Sequence, residues 1–210
     1  MANFNSYLPL LHKVEGGYQN LAKDRGNYNS LGQNVGTNFG IAATTYESYI
    51  KRPPTVVDMK NMTIATANKI YKLWYWDKLK GDNILNQSIA NVLVDHGVNA
   101  GVPTARFMIQ KILKNDFNQN INVDGVVGNN TVAAINSVNQ LQLFDKIKSS
   151  RLAHYDNIGG SFYQSWVNRL KAFTYTEKKK AVAIGIGGIL ILTGLGIYIY
   201  KNYDKWVTQH

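Results

Sequence analysis

Apolar residues recur at helical spacing through much of the first 175 residues. Phe4, Leu8 and Leu11 lie three or four positions apart and stop before Gly16-Gly17, which is typical of an amphipathic helix that ends at a glycine. Further stretches with the same period begin near positions 64, 103 and 162. The pattern predicts a helical, mainly α domain over residues 1–175.

A polar stretch interrupts this pattern soon after the first predicted helix. Residues 25–36 read RGNYNSLGQNVG, which has no apolar period and is rich in glycine, asparagine and serine. Such composition is typical of turns and loops, because these residues adopt turn conformations readily. We therefore expect a loop or an irregular hairpin at the surface, with little contribution to the core.

The segment from Ala181 to Tyr200 reads AVAIGIGGILILTGLGIYIY and contains no charged residue. As an α-helix it would extend about 30 Å, at about 1.5 Å per residue, which matches the thickness of a bilayer core. A buried core helix is the alternative, but basic residues flank the segment and glycine is frequent in membrane helices. The sequence predicts a transmembrane helix over 181–200, between a basic linker at 176–180 and a short polar tail at 201–210.

The amino-acid composition limits the partners and the catalytic groups that the chain can have. The chain has a formal net charge of +10, which favours polyanionic partners such as nucleic acid, anionic lipid or an acidic cell wall. No nucleic-acid-binding motif is present, so no sequence-specific nucleic-acid partner is expected. The lack of cysteine excludes disulfides and a thiolate nucleophile, and the four histidines lack metal-ligand spacing. We expect neither a metal nor a cofactor.

Glu15 is the best candidate for catalysis on residue chemistry alone. It follows Leu8 by seven positions and Leu11 by four, so it shares their apolar face at the C-terminal end of the first predicted helix. Partial burial and the negative end of the helix dipole both favour a protonated carboxyl, as a general acid requires. A glutamate before two glycines is also a common helix end, and the residues alone leave both interpretations open.

Six sequence motifs follow one another along the chain. They are VEGGY at 14–18, GTNFGI at 36–41, IYKLWYWDKLKGD at 70–82, IANVLVDHGVNAGVPTA at 89–105, VDGVVGNNTVAAI at 123–135 and SWVNRL at 165–170. Together they resemble glycoside hydrolase family 108, bacterial and phage muramidases of lysozyme-like fold. The resemblance implies an α+β domain with a small irregular or hairpin region, divided into a catalytic lobe at about 1–85 and a helical peptidoglycan-binding lobe at about 86–175.

The resemblance also implies a catalytic set. In phage-type lysozymes the spacing is Glu, eight residues, Asp, five residues, Thr. Eight residues separate Glu15 from Asp24 here, but Thr37 lies thirteen positions beyond Asp24, so several residues are inserted. Glu15 would be the acid, Asp24 the ionised partner and Thr37 the residue that holds the attacking water. Asp24 could instead cap a turn, and Thr37 could be an ordinary loop hydroxyl.

Three substrate contacts follow from the same resemblance. Tyr18 would stack on a sugar ring, and Asn38 and Asn99 would form hydrogen bonds with hydroxyl or N-acetyl groups. Asn38 could equally turn the chain, and Asn99 could cap a helix before Gly101. The DGVVG segment at 124–128 is more simply explained by a tight turn before a helix than by ligand contact.

The expected function is a muramidase that cleaves peptidoglycan glycan strands between N-acetylmuramic acid and N-acetylglucosamine by general acid catalysis. A lytic transglycosylase and a catalytically weak or inactive, membrane-tethered scaffold are the alternatives. With a helix at 181–200, the protein would cross the host inner membrane or the membrane of a lipid-containing virion once, with Lys178, Lys179 and Lys180 on anionic headgroups. That location would suit phage lysis or penetration of a host cell.

Overall fold

Two units make up the chain, Met1–Tyr175 and Thr176–His210. The computed structural model describes residues 1–14, 16–160 and 163–177, together with the backbone of three strands in the second unit. The first unit is mostly helical and carries the described candidate site residues.

The first unit consists of α-helices joined by short turns. The helices are α1 Phe4–Val14, α2 Ala43–Ile50, α3 Val56–Lys60, α4 Ile64–Tyr71, α5 Gln87–Ala100, α6 Val102–Phe117, α7 Asn129–Ser137, α8 Gln140–Ile158 and α9 Tyr163–Lys171. Side-chain caps begin several of them: Thr63 accepts a hydrogen bond from the Thr66 amide before α4, and Asn86 accepts from the Ser88 amide before α5. Short 3₁₀ turns at Arg25–Asn27, Asp77–Leu79 and Gly81–Asn83 and a π turn at Lys72–Trp76 complete the described elements.

Helix α5 forms the centre of the first unit. Every residue from Ser88 to Gly97 is buried, and both α6 and α8 pack against this helix. Helix α1 contributes Phe4, Tyr7 and Leu11 to the same core, with the Tyr7 ring stacked on Trp76 at 6.0 Å between centroids. Full burial of an apolar side chain of this kind contributes about 1.5–3 kcal/mol, so α1 is firmly attached along its length.

A buried ionic network ties α1 to the helices around it. Asp95 on α5 accepts hydrogen bonds from Arg151 Nη2 on α8 at 2.7 Å, from Arg169 Nη2 on α9 at 2.8 Å and from the Tyr7 hydroxyl at 3.1 Å. Burial would raise the pKa of Asp95, but the two arginine charges outweigh it and hold that pKa below its usual value. Tyr7 lies about two turns before the end of α1, so the network anchors the helix that leads to Glu15.

The apolar C-terminal segment is not the predicted transmembrane helix. Ala181–Ile184, Gly188–Thr193 and Gly196–Tyr198 form three antiparallel strands in the order β1-β2-β3, with Ala181 opposite Ile191 and Ile191 opposite Tyr198. The prediction of a helix over 181–200 was wrong. The run is rich in isoleucine, which favours strands, and its glycines divide it into short pieces. Apolar character alone does not separate a helix from a strand.

The expected membrane location is wrong as well. In the described part of the chain, no helix is both long and apolar enough to cross a bilayer. The expected role in phage lysis or host penetration rested on that helix and loses its basis. Lys178, Lys179 and Lys180, which were expected at lipid headgroups, and the tail at 201–210 lie outside the described residues.

Candidate active site

Helix α1 ends at Val14, and Glu15, the predicted acid, lies outside the described residues. The chain continues with Gly16 and Gly17, where an added Cβ would meet no atom within 4 Å at either position. Open space therefore borders the backbone directly after Glu15. A polymeric substrate can approach the main chain closely at such a point, because no side chain intervenes.

Gln19 pairs with Thr37 where the chain leaves these glycines. The Gln19 amide donates to the Thr37 carbonyl at 2.9 Å, and the Thr37 amide donates back at 2.8 Å. Gly36 allows this pairing, since its φ is +87° and a Cβ there would lie 2.4 Å from Cε2 of Tyr18. Thr37 is thereby held beside a residue only four positions after Glu15.

Asp24 begins the 3₁₀ turn at Arg25–Asn27 and is exposed to solvent. Its Oδ1 accepts a hydrogen bond from the Gly26 amide at 2.9 Å, and its Oδ2 accepts from Gln19 Nε2 at 2.8 Å. The turn-capping role that the sequence left open is therefore present, and it occupies one of the two oxygens. Together the two contacts fix the orientation of the carboxylate without burying it.

The inserted residues form a closed loop that returns the chain to Asp24. The Asn27 carbonyl accepts from the amides of Val35 and Gly36 at 2.8 and 3.1 Å, and Tyr28 pairs with Asn34 beyond it. Residues 28–34 lie beyond this closure, where Asn29 Nδ2 donates to the Pro54 carbonyl at 3.1 Å and the Ser30 amide donates to Glu47 Oε2 at 2.9 Å. The insertion lengthens the sequence between Asp24 and Thr37 without separating them in space.

Asp24 and Thr37 meet beside Gly26. A Cβ added at Gly26 would lie 3.1 Å from Asp24 Oδ1 and 3.8 Å from Thr37 Oγ1, so both oxygens lie within 4 Å of one point. Thr37 Oγ1 is buried and has no hydrogen-bond partner within the described part of the protein. Buried hydroxyls normally have a partner, and a water molecule or a substrate hydroxyl would supply one here.

Tyr18 is half-buried beside the Gln19–Thr37 pair. Its hydroxyl donates to the Val35 carbonyl at 3.3 Å, Lys60 Nζ lies 5.2 Å from the ring centroid, and the Gly36 backbone packs against the ring. Much of the ring is therefore in contact with the protein itself. Stacking of Tyr18 on a sugar stays a prediction for the part of the ring that remains exposed.

The two predicted asparagine contacts have partners within the protein. Asn38 is 4% exposed and its Nδ2 donates to the Met59 carbonyl at 2.8 Å, which fits the chain-turning interpretation. Asn99 on α5 donates to the Tyr155 hydroxyl at 2.9 Å, and that hydroxyl also accepts from Arg151. Asn99 therefore extends the ionic network around Arg151. Direct contact of either asparagine with a sugar stays a prediction.

The DGVVG segment forms a tight turn before α7. Asp124 Oδ1 accepts from Gln110 Nε2 and from the Val126 amide, each at 2.8 Å, and Gly125 has a φ of +73° against the ring of Phe107. The bond from Gln110 is the main cause that lowers the pKa of Asp124. These contacts fit the turn interpretation of the segment. Across the described residues, no group of three or more histidine, aspartate and glutamate side chains could hold a metal ion.

The sequence pattern did not indicate that Gln19 and Asn27 contribute to this site. Asn27 is fully buried, and its Nδ2 donates to Gln19 Oε1 at 3.0 Å and to the Leu21 carbonyl at 2.9 Å. Both residues lie in polar sequence without periodicity, which looks the same whether the side chains face solvent or each other. Their amides provide the internal contacts that apolar side chains provide elsewhere.

The chain matches two family models in succession. Residues 8–101 match the model described as Glycosyl hydrolase 108, a span that contains most of α1, the Asp24–Thr37 loop and all of α5. Residues 8–101 of the chain belong to glycosyl hydrolase family 108. Residues 104–171 of this family 108 protein match a second model, described as Predicted Peptidoglycan domain. This span contains most of α6 and all of α7, α8 and α9.

A solved structure is similar to this family 108 chain over most of its length. SagA of Brucella abortus has a TM-score of 0.67 and 27% sequence identity, with 80% of this chain and 89% of that chain covered. No curated protein matches the sequence at a significant level.

Membership of family 108 settles the class of enzyme. The chain is a glycoside hydrolase of the N-acetylmuramidase type, and peptidoglycan is its substrate. The expectation of a peptidoglycan hydrolase is thus confirmed, and the scaffold alternative is set aside.

Proposed function

We propose that this family 108 enzyme cleaves the bond between N-acetylmuramic acid and N-acetylglucosamine by general acid catalysis, with Glu15, Asp24 and Thr37 acting in one site. Glu15 protonates the leaving glycosidic oxygen. Asp24 acts as the ionised partner of the oxocarbenium-like transition state, and Thr37 Oγ1 holds the attacking water. The observation that carries the proposal is the convergence of Asp24 and Thr37 beside Gly26, close in sequence to Glu15.

The contacts of Asp24 and Thr37 suit these roles. Asp24 accepts hydrogen bonds on both oxygens, from Gly26 and from Gln19, so its carboxylate keeps one orientation while it stays open to solvent. Thr37 offers a buried hydroxyl without a protein partner in the described residues, within 4 Å of the same point. Both oxygens therefore border Gly26, and the Thr37 hydroxyl has unused hydrogen-bonding capacity for the water that hydrolysis requires.

Product analysis in heavy-oxygen water tests the proposal. The full chain is incubated with purified peptidoglycan in H₂¹⁸O, and the released muropeptides are analysed by mass spectrometry. We expect reducing N-acetylmuramic acid ends that carry one ¹⁸O atom, because water attacks at that sugar. Anhydro-muramic ends without ¹⁸O would identify a lytic transglycosylase instead and would exclude the water-holding role of Thr37. Reducing N-acetylglucosamine ends would show that the other glycosidic bond is cut.

A further inference from the structure

Both the nitrogen and the oxygen of the Gln19 side-chain amide form hydrogen bonds in the loop that carries Asp24. Its Nε2 donates to Asp24 Oδ2 at 2.8 Å and to Asn27 Oδ1 at 3.0 Å. Its Oε1 accepts from the Leu21 amide and from Asn27 Nδ2, each at 3.0 Å. A glutamine amide has two N–H donors and two acceptor lone pairs, so this set accounts for its whole capacity.

The backbone of the same residue pairs with Thr37. The two hydrogen bonds between Gln19 and Thr37 fix the position of Thr37 along the chain, and the Gln19 side chain reaches Asp24. One residue thus contacts both members of the proposed pair. A glutamine amide offers both a donor for the carboxylate and an acceptor for a neighbouring amide.

We infer that Gln19 is a positioning residue that holds the Asp24 carboxylate in line with Thr37 during the reaction, an inference that rests on the proposed function. Asp24 is exposed, and the Gly26 amide fixes only its Oδ1. With Oδ2 free, the carboxylate would rotate about its terminal torsion, which has only a broad preference. A bond at each oxygen removes that freedom. Misplacement of a reacting group by about 1 Å costs up to about 100-fold in rate.

The loop has other support that does not pass through Gln19. Asn27 is buried, donates to the Leu21 carbonyl, and its own carbonyl accepts from Val35 and Gly36. These bonds keep the loop closed when the Gln19 side chain is changed, and the backbone pairing with Thr37 needs no side chain. Loss of the Gln19 amide should therefore affect the orientation of Asp24 more than the fold of the loop.

A double-mutant cycle tests this inference. The turnover number kcat on saturating peptidoglycan is measured for the full-length wild type, Gln19→Leu, Asp24→Ala and the double variant. We expect Gln19→Leu to lower kcat by about 10- to 100-fold and to add nothing once Asp24 is alanine, because Gln19 acts through Asp24. Gln33→Leu makes the same change in the same loop, but Gln33 contacts Asn29 rather than Asp24, so its kcat should stay within threefold of wild type.

The outcomes separate this inference from the proposed function. If both single variants lose activity and their losses multiply in the double variant, Gln19 acts independently of Asp24 and the inference fails while the role of Asp24 stands. If Gln19→Leu stays within threefold of wild type while Asp24→Ala is impaired, the inference fails in the same way. If Asp24→Ala retains wild-type kcat, the proposed role of Asp24 fails first and the inference fails with it.

A second variant covers the case in which Gln19→Leu does not fold. Gln19→Glu keeps the side-chain length and an acceptor for the Leu21 amide, but it places a carboxylate oxygen against Asp24 Oδ2. With a melting temperature near that of wild type, a loss of kcat of at least tenfold supports the inference. A kcat within threefold of wild type contradicts it.

Discussion

Two regions of the first unit are held together by different forces. The core around α5 is held by apolar burial and by the Asp95 network, in which the Asp95 and Arg151 side chains are completely buried. The loop from Gln19 to Thr37 is held mainly by hydrogen bonds between amides, with Asp24 exposed. The first arrangement gives stability and carries α1. The second orients side chains at a surface that substrate can reach, so changes there should affect activity before they affect the global fold.

The largest expected effect on stability comes from Asp95→Ala. This change removes the carboxylate partner of the completely buried Arg151, and an unpaired buried charge costs about 3–5 kcal/mol. The free energy of unfolding, measured with urea, should fall by that amount. Asp116→Ala is the matched control, because Asp116 forms an exposed ion pair with Lys146 at 2.5 Å, and it should cost less than about 1 kcal/mol. Equal losses in the two variants would contradict the special role of the buried network.

Asn27→Ala should have the next largest effect, within the loop itself. It leaves the Leu21 carbonyl and part of the Gln19 amide without a partner, and an unsatisfied buried polar group costs about 1–3 kcal/mol. Asn20→Ala makes the same change at an exposed position of the loop and should stay within about 0.5 kcal/mol of wild type. Urea denaturation and an activity assay of both variants give the comparison. A loop that tolerates both changes equally is not held by Asn27.

The smallest expected effect is the pH dependence of the core at His96. Burial, assisted by the charge of Arg151, lowers the pKa of His96 from 6.5 to about 3. The unfolded chain takes up a proton at His96 below pH 6.5 and the folded chain does not until about pH 3, so stability present above pH 6.5 is lost as the pH falls towards 3. Between pH 6.5 and 5.5 the loss is about 1 kcal/mol, since each proton is worth about 1.4 kcal/mol per pH unit.

Urea denaturation at these two pH values measures the contribution of His96. The same experiment on His96→Gln subtracts the other titrating groups, because glutamine does not bind a proton in this range. The wild type should lose about 1 kcal/mol more than the variant over that interval. Identical losses would mean that His96 is protonated in the folded protein, in conflict with its burial.

The helices of the first unit could be predicted from the sequence because their apolar period is long and regular. The stripe of Phe4, Leu8 and Leu11 coincides with α1, in which Phe4 and Leu11 are buried and Leu8 is half-buried. The same reasoning failed at 181–200, where apolar residues lack a helical period and the described backbone forms strands. A helical period of apolar residues predicts a helix, whereas hydrophobicity alone does not distinguish a helix from a strand.

The candidate site could be predicted only in part. Resemblance to a family supplied Asp24 and Thr37, and the closed loop explains how an insertion leaves them adjacent. The burial of Asn27, Asn29 and Asn38 could not be predicted, because an amide in a glycine-rich stretch is ordinarily solvated. Each of these side chains donates to a backbone carbonyl, and such pairing depends on the three-dimensional path of the chain.

The most direct test of the account is the activity of Glu15→Gln on purified peptidoglycan. The change preserves the size of the side chain and removes the transferable proton, and general acid catalysis typically supplies about 10²- to 10⁴-fold in rate. We predict a loss of hydrolysis of at least about 100-fold with an unchanged melting temperature, while Glu177→Gln, at an exposed glutamate with no proposed role in catalysis, stays at the wild-type rate. A folded Glu15→Gln protein with activity within threefold of wild type would contradict the assignment of Glu15 as the acid.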